Sequence, residues 1–135
     1  MTKAIIVGHY NLPRALSETL ESIVGKLDDV LFISNTGLSS EKLTQEVKRA
    51  IDILSPEETI IFVDVPGGSC AISCLNILKT FKGIPVICGV NLLMLLEFFI
   101  NRERYPRDRL VEILVAKGRE SIKRLGGNDL QAKRG

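Results

Sequence analysis

The sequence has 135 residues, a formal net charge of +2, and charged side chains at a quarter of its positions. This length fits one domain with a buried core, and no basic run is interleaved with aromatic residues, which argues against nucleic-acid binding. A predicted strand follows Met1 at once, in place of the basic n-region and apolar h-region of a signal peptide, so we expect a cytoplasmic protein.

The three cysteines, Cys70, Cys74 and Cys88, lie in apolar surroundings. Their odd number and their neighbours are typical of reduced thiols in a cytosolic core. Cys70 and Cys74 are four positions apart, but two thiols alone make a poor metal site. We therefore expect no bound metal.

The first half of the chain predicts two strands and two helices. Apolar residues 4–8 predict a strand, and residues 30–34 predict a second one that runs into a loop of turn-forming residues at 35–37. The first helix has Asn11 as its expected N-cap and apolar residues at helical spacing, namely Leu12, Leu16, Leu20 and Ile23. The second is capped by Ser39 or Ser40, and its apolar residues are Leu43, Val47, Ile51 and Leu54.

The second half continues the alternation. Residues 59–64 predict a third strand, and a Gly-Gly-Ser turn opens a third helix that closes at Lys82 and Gly83. Its inward-facing residues are expected to be Ala71, Cys74, Leu75 and Leu78. Residues 85–90 predict a fourth strand, after which Asn91 caps an apolar helix over residues 92–100.

The C-terminal part begins with a charged connector over residues 102–109. A final helix is expected to end at Gly126 and Gly127. The residues that mark its helical spacing are Leu110, Leu114, Gly118, Ile122 and Leu125. The last eight residues, 128–135, are polar and predict a tail or a short edge strand.

Strand and helix alternate four times, which predicts a single doubly wound α/β domain over residues 1–127 with a mostly parallel four-stranded sheet of order 2-1-3-4. In this order the chain reverses direction between strands one and three. Ligands bind at that point, outside the carboxyl ends of the strands. These two ends carry His9 and Asp64.

His9 is the only histidine of the chain. An acid from the third strand can accept one ring N–H, fix the tautomer and leave the other nitrogen free as a nucleophile. Gly67, Gly68 and Ser69 lie where a helix begins, and its exposed N–H groups suit a phosphoryl group. We therefore hypothesise that His9 carries a phosphoryl group, with Asp64 as its orienting partner.

Other interpretations of these residues are weaker. His9 could be a structural histidine bonded to a carbonyl, and a nucleotide-binding loop is not supported because GxxxxGK[ST] is missing. Ser69 does not lie in the G-x-S-x-G turn of a hydrolase nucleophile. Two alternatives for Ser69 stay open, capping alone or capping together with phosphate binding. Arg14 could pair with phosphate or point to solvent, and we favour solvent.

Four short motifs resemble the enzyme IIA component of the mannose family of the phosphoenolpyruvate-dependent sugar phosphotransferase system. They keep the order and spacing of that family from residue 3 to about residue 126. The motifs are Gly8-His9, Asp64 with Gly67-Gly68-Ser69, Gly89-Val90-Asn91, and Gly-Arg-Glu-Ser-Ile-Lys at positions 118–123.

The resemblance implies a phosphotransferase. In it, His9 accepts a phosphoryl group from the histidine-containing phosphocarrier protein HPr and passes it to a IIB component, which phosphorylates sugar during uptake through membrane subunits IIC and IID. Asp64 orients His9, Ser69 and the two glycines lie beside the phosphate, and no cofactor is needed. Family members are homodimers, commonly with an exchanged C-terminal edge strand, which the segment after Leu125 would provide here.

The sequence also departs from the pattern of that family. Tyr10 replaces the usual glycine after the histidine, Cys70 replaces a usual proline, and residues 11–14 differ from the expected run of small residues. Tyr10 and Cys70 leave open a phosphorylated regulatory or signalling module not coupled to transport, as in related domains of transcriptional activators and of dihydroxyacetone phosphorylation. An unphosphorylated scaffolding subunit is a third hypothesis, which requires His9 and Asp64 to lie too far apart for a hydrogen bond.

Overall fold

The computed structural model describes residues 1–127, which form four strands and five α-helices. The strands are β1 (Lys3–Gly8), β2 (Val30–Ser34), β3 (Thr59–Val63) and β4 (Val86–Cys88). The helices are α1 (Leu12–Val24), α2 (Ser40–Leu54), α3 (Gly68–Ile77), α4 (Leu92–Asn101) and α5 (Arg107–Glu120). All neighbouring strands are parallel, in the order β2-β1-β3-β4, so the predicted fold class and strand order are confirmed. The predicted tail or exchanged edge strand at 128–135 lies outside the described residues.

The two central strands are buried on both faces of the sheet and serve two separate cores. Ile5 and Val7 of β1 point into a core formed with α2 and α3. Ala4 and Ile6 alternate with them and point into a second core formed with α1, α4 and α5. Side chains of a strand alternate between faces, so an uninterrupted apolar run is what a doubly covered strand requires.

Two of the four predicted helix caps are present, and the α2 stripe is buried as expected. The Ser39 side chain accepts a hydrogen bond from the Lys42 N–H, and Asn91 accepts one from the Met94 N–H. All four apolar positions predicted for α2 are buried, namely Leu43, Val47, Ile51 and Leu54. Asn11 precedes α1 as predicted, but its side chain makes no capping hydrogen bond.

Several apolar positions predicted to face the core are exposed. In α1, Leu12 and Ile23 lie at the two ends of the helix and are 42% and 56% exposed. In α3, Leu75 is 59% exposed. That helix also ends at Ile77 and not at Lys82, because the following N–H groups bond to carbonyls three residues back in a tighter turn.

The final helix differs most from its prediction. It begins at Arg107, directly after Pro106, and ends at Glu120, where the Ser121 hydroxyl donates to the Gly118 carbonyl. The remaining two apolar positions of the predicted stripe, Ile122 and Leu125, therefore lie beyond the helix and are 83% and 82% exposed. Among residues 1–127, no helix has both the length and the apolar character that a membrane crossing requires.

Candidate functional site

The register of the two central strands brings the candidate residues together. Val7 of β1 is paired with Val63 of β3, and the Asp64 N–H donates to the Val7 carbonyl at 3.3 Å. His9 and Asp64 therefore leave their strands at the same level of the same edge. This edge is the carboxyl end of the sheet, where the chain turns to opposite sides after β1 and β3.

His9 and Asp64 are in direct contact. The ring Nδ1 of His9 lies 2.8 Å from Oδ2 of Asp64, and the backbone N–H of His9 donates to the same oxygen at 2.9 Å. The Val65 N–H donates to Oδ1 at 2.9 Å. The Asp64 side chain is only 9% exposed, whereas that of His9 is 42% exposed. The carboxylate thus forms the floor of the site and the imidazole its accessible part.

These contacts define the tautomer of the imidazole. An ionised carboxylate only accepts hydrogen bonds, so the proton between Nδ1 and Oδ2 belongs to His9. In the neutral ring the lone pair is then on Nε2, the nitrogen turned away from Asp64. His9 therefore presents Nε2 as the ring nitrogen whose lone pair is free of Asp64.

The pKa of Asp64 is held below its ordinary value despite burial. Burial alone raises the pKa of this carboxyl group. The hydrogen bonds from the His9 ring, the His9 backbone and the Val65 backbone favour the ionised form and together outweigh burial, so the net shift is downward. Asp64 is consequently an anion at neutral pH.

The predicted glycine pair lies at the beginning of α3, next to the free nitrogen. A Cβ atom placed on Gly68 would lie 3.5 Å from Nε2 of His9, and Gly68 has a φ of +84°. Both the left-handed backbone and the closeness to the ring favour glycine here. Gly67 is the residue before the helix, so the first free N–H groups of α3 are on the His9 side.

Ser69 does not cap α3, which corrects its predicted structural role. It is the second residue of the helix and no side chain caps this end. Its hydroxyl oxygen instead accepts a hydrogen bond from Nδ2 of Asn35 at 3.3 Å. The same hydroxyl can still act as a donor, and within residues 1–127 its neighbouring acceptor is the Cys70 thiol.

The loop after β2 supports the site, a role that the sequence analysis missed. Oδ1 of Asn35 accepts from the Tyr10 N–H at 3.2 Å, and the Ser34 hydroxyl donates to the Tyr10 carbonyl at 2.6 Å. Together with the bond to Ser69, this loop joins the β1–α1 turn to the start of α3. The signal was present, because polar residues 34–36 follow a strand that ends at the same edge of the sheet.

Tyr10 has an unusual backbone conformation next to the nucleophile. Its φ is +51°, in the left-handed region, and the residue is 71% exposed. A bulky residue in this region is strained by about 1–3 kcal/mol. The bonds from Ser34 and to Asn35 fix the turn in this state.

Cys70 is the buried neighbour of the pair. Ligand atoms of His9, Asp64 and Cys70 lie within 4.8 Å of one another, a grouping that could hold a metal ion. Burial, and then the charge of Asp64, raise the pKa of the Cys70 thiol, so it is protonated at neutral pH. The carboxylate oxygens already accept three N–H groups. In this arrangement His9 and Asp64 form a hydrogen-bonded pair, and the Cys70 thiol lies beside it without a hydrogen bond to either residue.

Arg14 points away from the site. Its side chain is 83% exposed and its Nε atom donates to Glu18 one turn later at 3.1 Å. The preferred prediction, an arginine turned to solvent, is confirmed.

The geometry defines a class of protein. It is a doubly wound α/β domain with an aspartate-oriented histidine at the switch point of its sheet, beside the glycine-rich start of a helix. A family model described as "PTS system fructose IIA component" matches residues 3–115. The chain belongs to this mannose-type family of IIA components of the sugar phosphotransferase system.

Similar proteins agree with this assignment. The mannose-specific EIIAB component of Escherichia coli K12 is 33% identical over 93% of this chain, which spans only 40% of that relative. The fructose-specific EIIA component of Bacillus subtilis is 29% identical over 90% of this chain and 85% of its own length. The crystal structure of an EIIA component from Streptococcus agalactiae covers 92% of this chain and 97% of its own, with a TM-score of 0.81 and 31% identity.

Proposed function

We propose that this chain is a phosphocarrier of a sugar phosphotransferase system, which accepts a phosphoryl group on His9 from HPr and passes it to a IIB component. The observation that carries the proposal is the 2.8 Å contact between Nδ1 of His9 and Asp64, which leaves Nε2 free and partly exposed. Membership of the IIA family supports the direction of the relay.

The transfer requires only the imidazole and its partner. The Nε2 lone pair attacks the phosphorus of phospho-HPr in line, and an N–P bond forms as the N–P bond of the donor breaks. The Nδ1 proton stays on His9, so the ring gains positive charge during the transfer. The ionised Asp64 stabilises this charge from the buried side, as a preorganised group does. Transfer to IIB is the same step in reverse.

The beginning of α3 balances the charge of the phosphoryl oxygens. Its first N–H groups lack helical partners and carry the positive end of the helix dipole. Gly67 and Gly68 leave space for the oxygens above Nε2, and the Ser69 hydroxyl supplies a further donor. In this role Gly67, Gly68 and Ser69 bind phosphate, and the step uses no metal or organic cofactor.

In such a relay the chain acts in the cytoplasm and meets the membrane only indirectly, through IIC and IID subunits. We also propose that it is a homodimer and that its C-terminal segment, beyond the described residues, takes part in the contact. Residues 1–127 then form the phosphocarrier domain. In this relay the sugar is selected by other subunits.

Phosphorylation of His9 is the first testable outcome. Untagged protein incubated with phosphoenolpyruvate, enzyme I and HPr is expected to gain one acid-labile, base-stable phosphate, measured by intact-protein mass spectrometry. His9 is the only histidine of the chain, so a phosphohistidine can form nowhere else. Two-dimensional NMR of the labelled protein should place the phosphate on Nε2.

The His9→Ala variant is the control, and it should gain no phosphate while its urea midpoint shows that it is folded. Phosphate on this variant would contradict the assignment. Labelling of wild type on Nδ1 would contradict the role given to Asp64.

The regulatory alternative shares the phosphorylation step and differs in the acceptor. Cys70, one of the two residues that motivated this alternative, is fully buried. It therefore cannot alter a docking surface. The transport-coupled function is therefore better supported. Incubating the phosphorylated protein with IIB components decides between them, since a regulatory module would keep its phosphate.

A further inference from the structure

Tyr10 combines a strained backbone with an exposed ring at the most reactive point of the surface. Its φ is +51° and it is 71% exposed, although it directly follows His9. Burial of the ring can therefore contribute little to the fold. Strained residues that the surroundings hold in place concentrate at functional sites. This conformation calls for a reason other than folding.

Within residues 1–127, the hydrogen bonds of Tyr10 hold its backbone and none involves its ring hydroxyl. The Tyr10 N–H donates to Asn35 and the Tyr10 carbonyl accepts from Ser34. The next turn begins with the Leu12 N–H donating to the His9 carbonyl at 3.1 Å. The main chain on both sides of the ring is thus fixed, and the ring is presented on a rigid base.

We propose that Tyr10 is a contact residue for the phosphoryl donor, an aromatic side chain that binds an apolar pocket beside the donor's phosphorylated histidine. The inference rests on the proposed function. A donor must bring its phosphorus to about 3–3.5 Å from Nε2, which places the next residue in the chain within its footprint. Tyrosine is among the residue types that dominate binding at such contacts, and a fixed backbone lowers the entropy lost on docking.

Substitution of Tyr10 tests this role through the kinetics of donor use. Tyr10→Gly, which accepts the same backbone conformation, is expected to raise KM for phospho-HPr about tenfold with kcat unchanged. Tyr10→Phe should behave as wild type if the ring makes the contact. An unchanged KM for Tyr10→Gly overturns the proposal.

Tyr105 provides the matched control because the chain has only two tyrosines. It is 40% exposed and lines a cavity with Met1 and Thr2, at the opposite edge of the sheet. Tyr105→Ala should leave KM unchanged. With both tyrosines replaced by 3-fluorotyrosine, only the ¹⁹F signal that Tyr10→Phe removes should shift on adding HPr. A shift of the Tyr105 signal alone overturns the proposal.

Two further measurements exclude a structural role and a role in the chemistry. Tyr10→Gly should unfold at a urea concentration no lower than wild type, because glycine relieves the strain. Its labelling by phosphoramidate, which needs no partner protein, should equal that of wild type. Slower labelling, or faster loss of phosphate from the isolated variant with an unchanged KM, overturns the proposal.

The same experiments separate this inference from the proposed function. Wild-type protein that phosphoramidate labels but HPr does not would refute the relay and this inference together. Wild-type protein that HPr labels normally, together with an unchanged KM for Tyr10→Gly, refutes this inference alone.

Discussion

Three N–H groups donate to the carboxylate of Asp64 and stabilise its ionised form in the folded protein. Because its pKa is lowered on folding, the ionised form is more stable in the native protein than in the unfolded chain. The stabilisation is fully present above the unfolded pKa of 3.8 and is lost as the pH falls through the lower, folded value. The orientation of the His9 imidazole therefore depends on a contact that weakens when Asp64 is protonated.

We expect Asp64→Asn to reduce the loss of stability on acidification. The amide has no proton to gain below pH 4, so this variant should show a flatter fall of its urea midpoint between about pH 5 and pH 2 than wild type does. At pH 7 the variant should be the less stable of the two. Parallel curves for both proteins would contradict the assigned pKa shift.

The same variant should also slow the phosphorylation of His9. Without the charge beneath the ring, single-turnover labelling by phospho-HPr should fall on the order of 100-fold, the scale on which one preorganised group acts. Exposed Asp52, on the outer face of α2, provides the control, because Asp52→Asn removes one charge without touching the site. A comparable fall for both variants would show that net charge is the cause.

At the scale of single residues the sequence predicts chemistry better than conformation. His9 and Asp64 are recognisable as candidates because each follows an apolar run, and such a run predicts where a buried strand ends. The left-handed φ of Tyr10 was not predictable, because nothing in a tyrosine indicates it. Ser34 and Asn35 fix that conformation, and they are more than twenty positions away in the chain.

The start of α3 is the element that shapes the site. Gly68 opens this helix with a φ of +84°, and a side chain here would lie in contact with Nε2 of His9. The backbone conformation is one reason for glycine here, and under the proposed function the space that a phosphoryl group requires is a second. A single substitution can test both.

Gly68→Ala is expected to lower stability by about 1–2 kcal/mol and to suppress labelling of His9 at least tenfold. Gly83→Ala is the matched control, since Gly83 has a φ of +89° with nothing within 4 Å of an added Cβ. That variant should lose similar stability, measured by urea denaturation, and label normally. Normal labelling of Gly68→Ala would show that the phosphate does not lie above this glycine.

Element boundaries were less predictable than the elements themselves. Apolar spacing predicted α2 well, because its stripe and the Ser39 cap agree. The same spacing extended α5 past Glu120, since Ile122 and Leu125 continue the period although no core remains for them to contact. Periodicity records where a helix could face a core, and tertiary contacts decide where it stops.

At the scale of the whole molecule, the site depends on two cores that lock β1 and β3 side by side. Residues 4–7 of β1 and 60–63 of β3 are all apolar and alternate between the cores, so the doubly covered parallel sheet followed from their composition. The position of the switch point followed from the strand order. The packing within each core did not, because many pairings of apolar residues satisfy one pattern.

The packing of the core beneath α4 can be tested by substitution of Phe98. Its ring packs edge-on against Phe62 with centroids 5.6 Å apart, and both residues are fully buried. Phe98→Ala should lower the free energy of unfolding by about 3–5 kcal/mol, a large part of the 5–15 kcal/mol that is typical of a domain. Urea denaturation measures the loss, and Phe98→Leu gives a smaller one if the alanine variant fails to fold.

The His9 site lies apart from this core, because neither His9 nor Asp64 belongs to its cluster of buried residues. Phosphoramidate labelling of the folded variant should therefore equal that of wild type at 10 °C, a low temperature chosen to keep it folded. Ile100→Ala, on the same helix at a residue 56% exposed, should change stability by less than about 1 kcal/mol. Loss of labelling in Phe98 variants that remain folded would contradict this prediction. It would show that the packing of the core determines the geometry of the His9 and Asp64 pair.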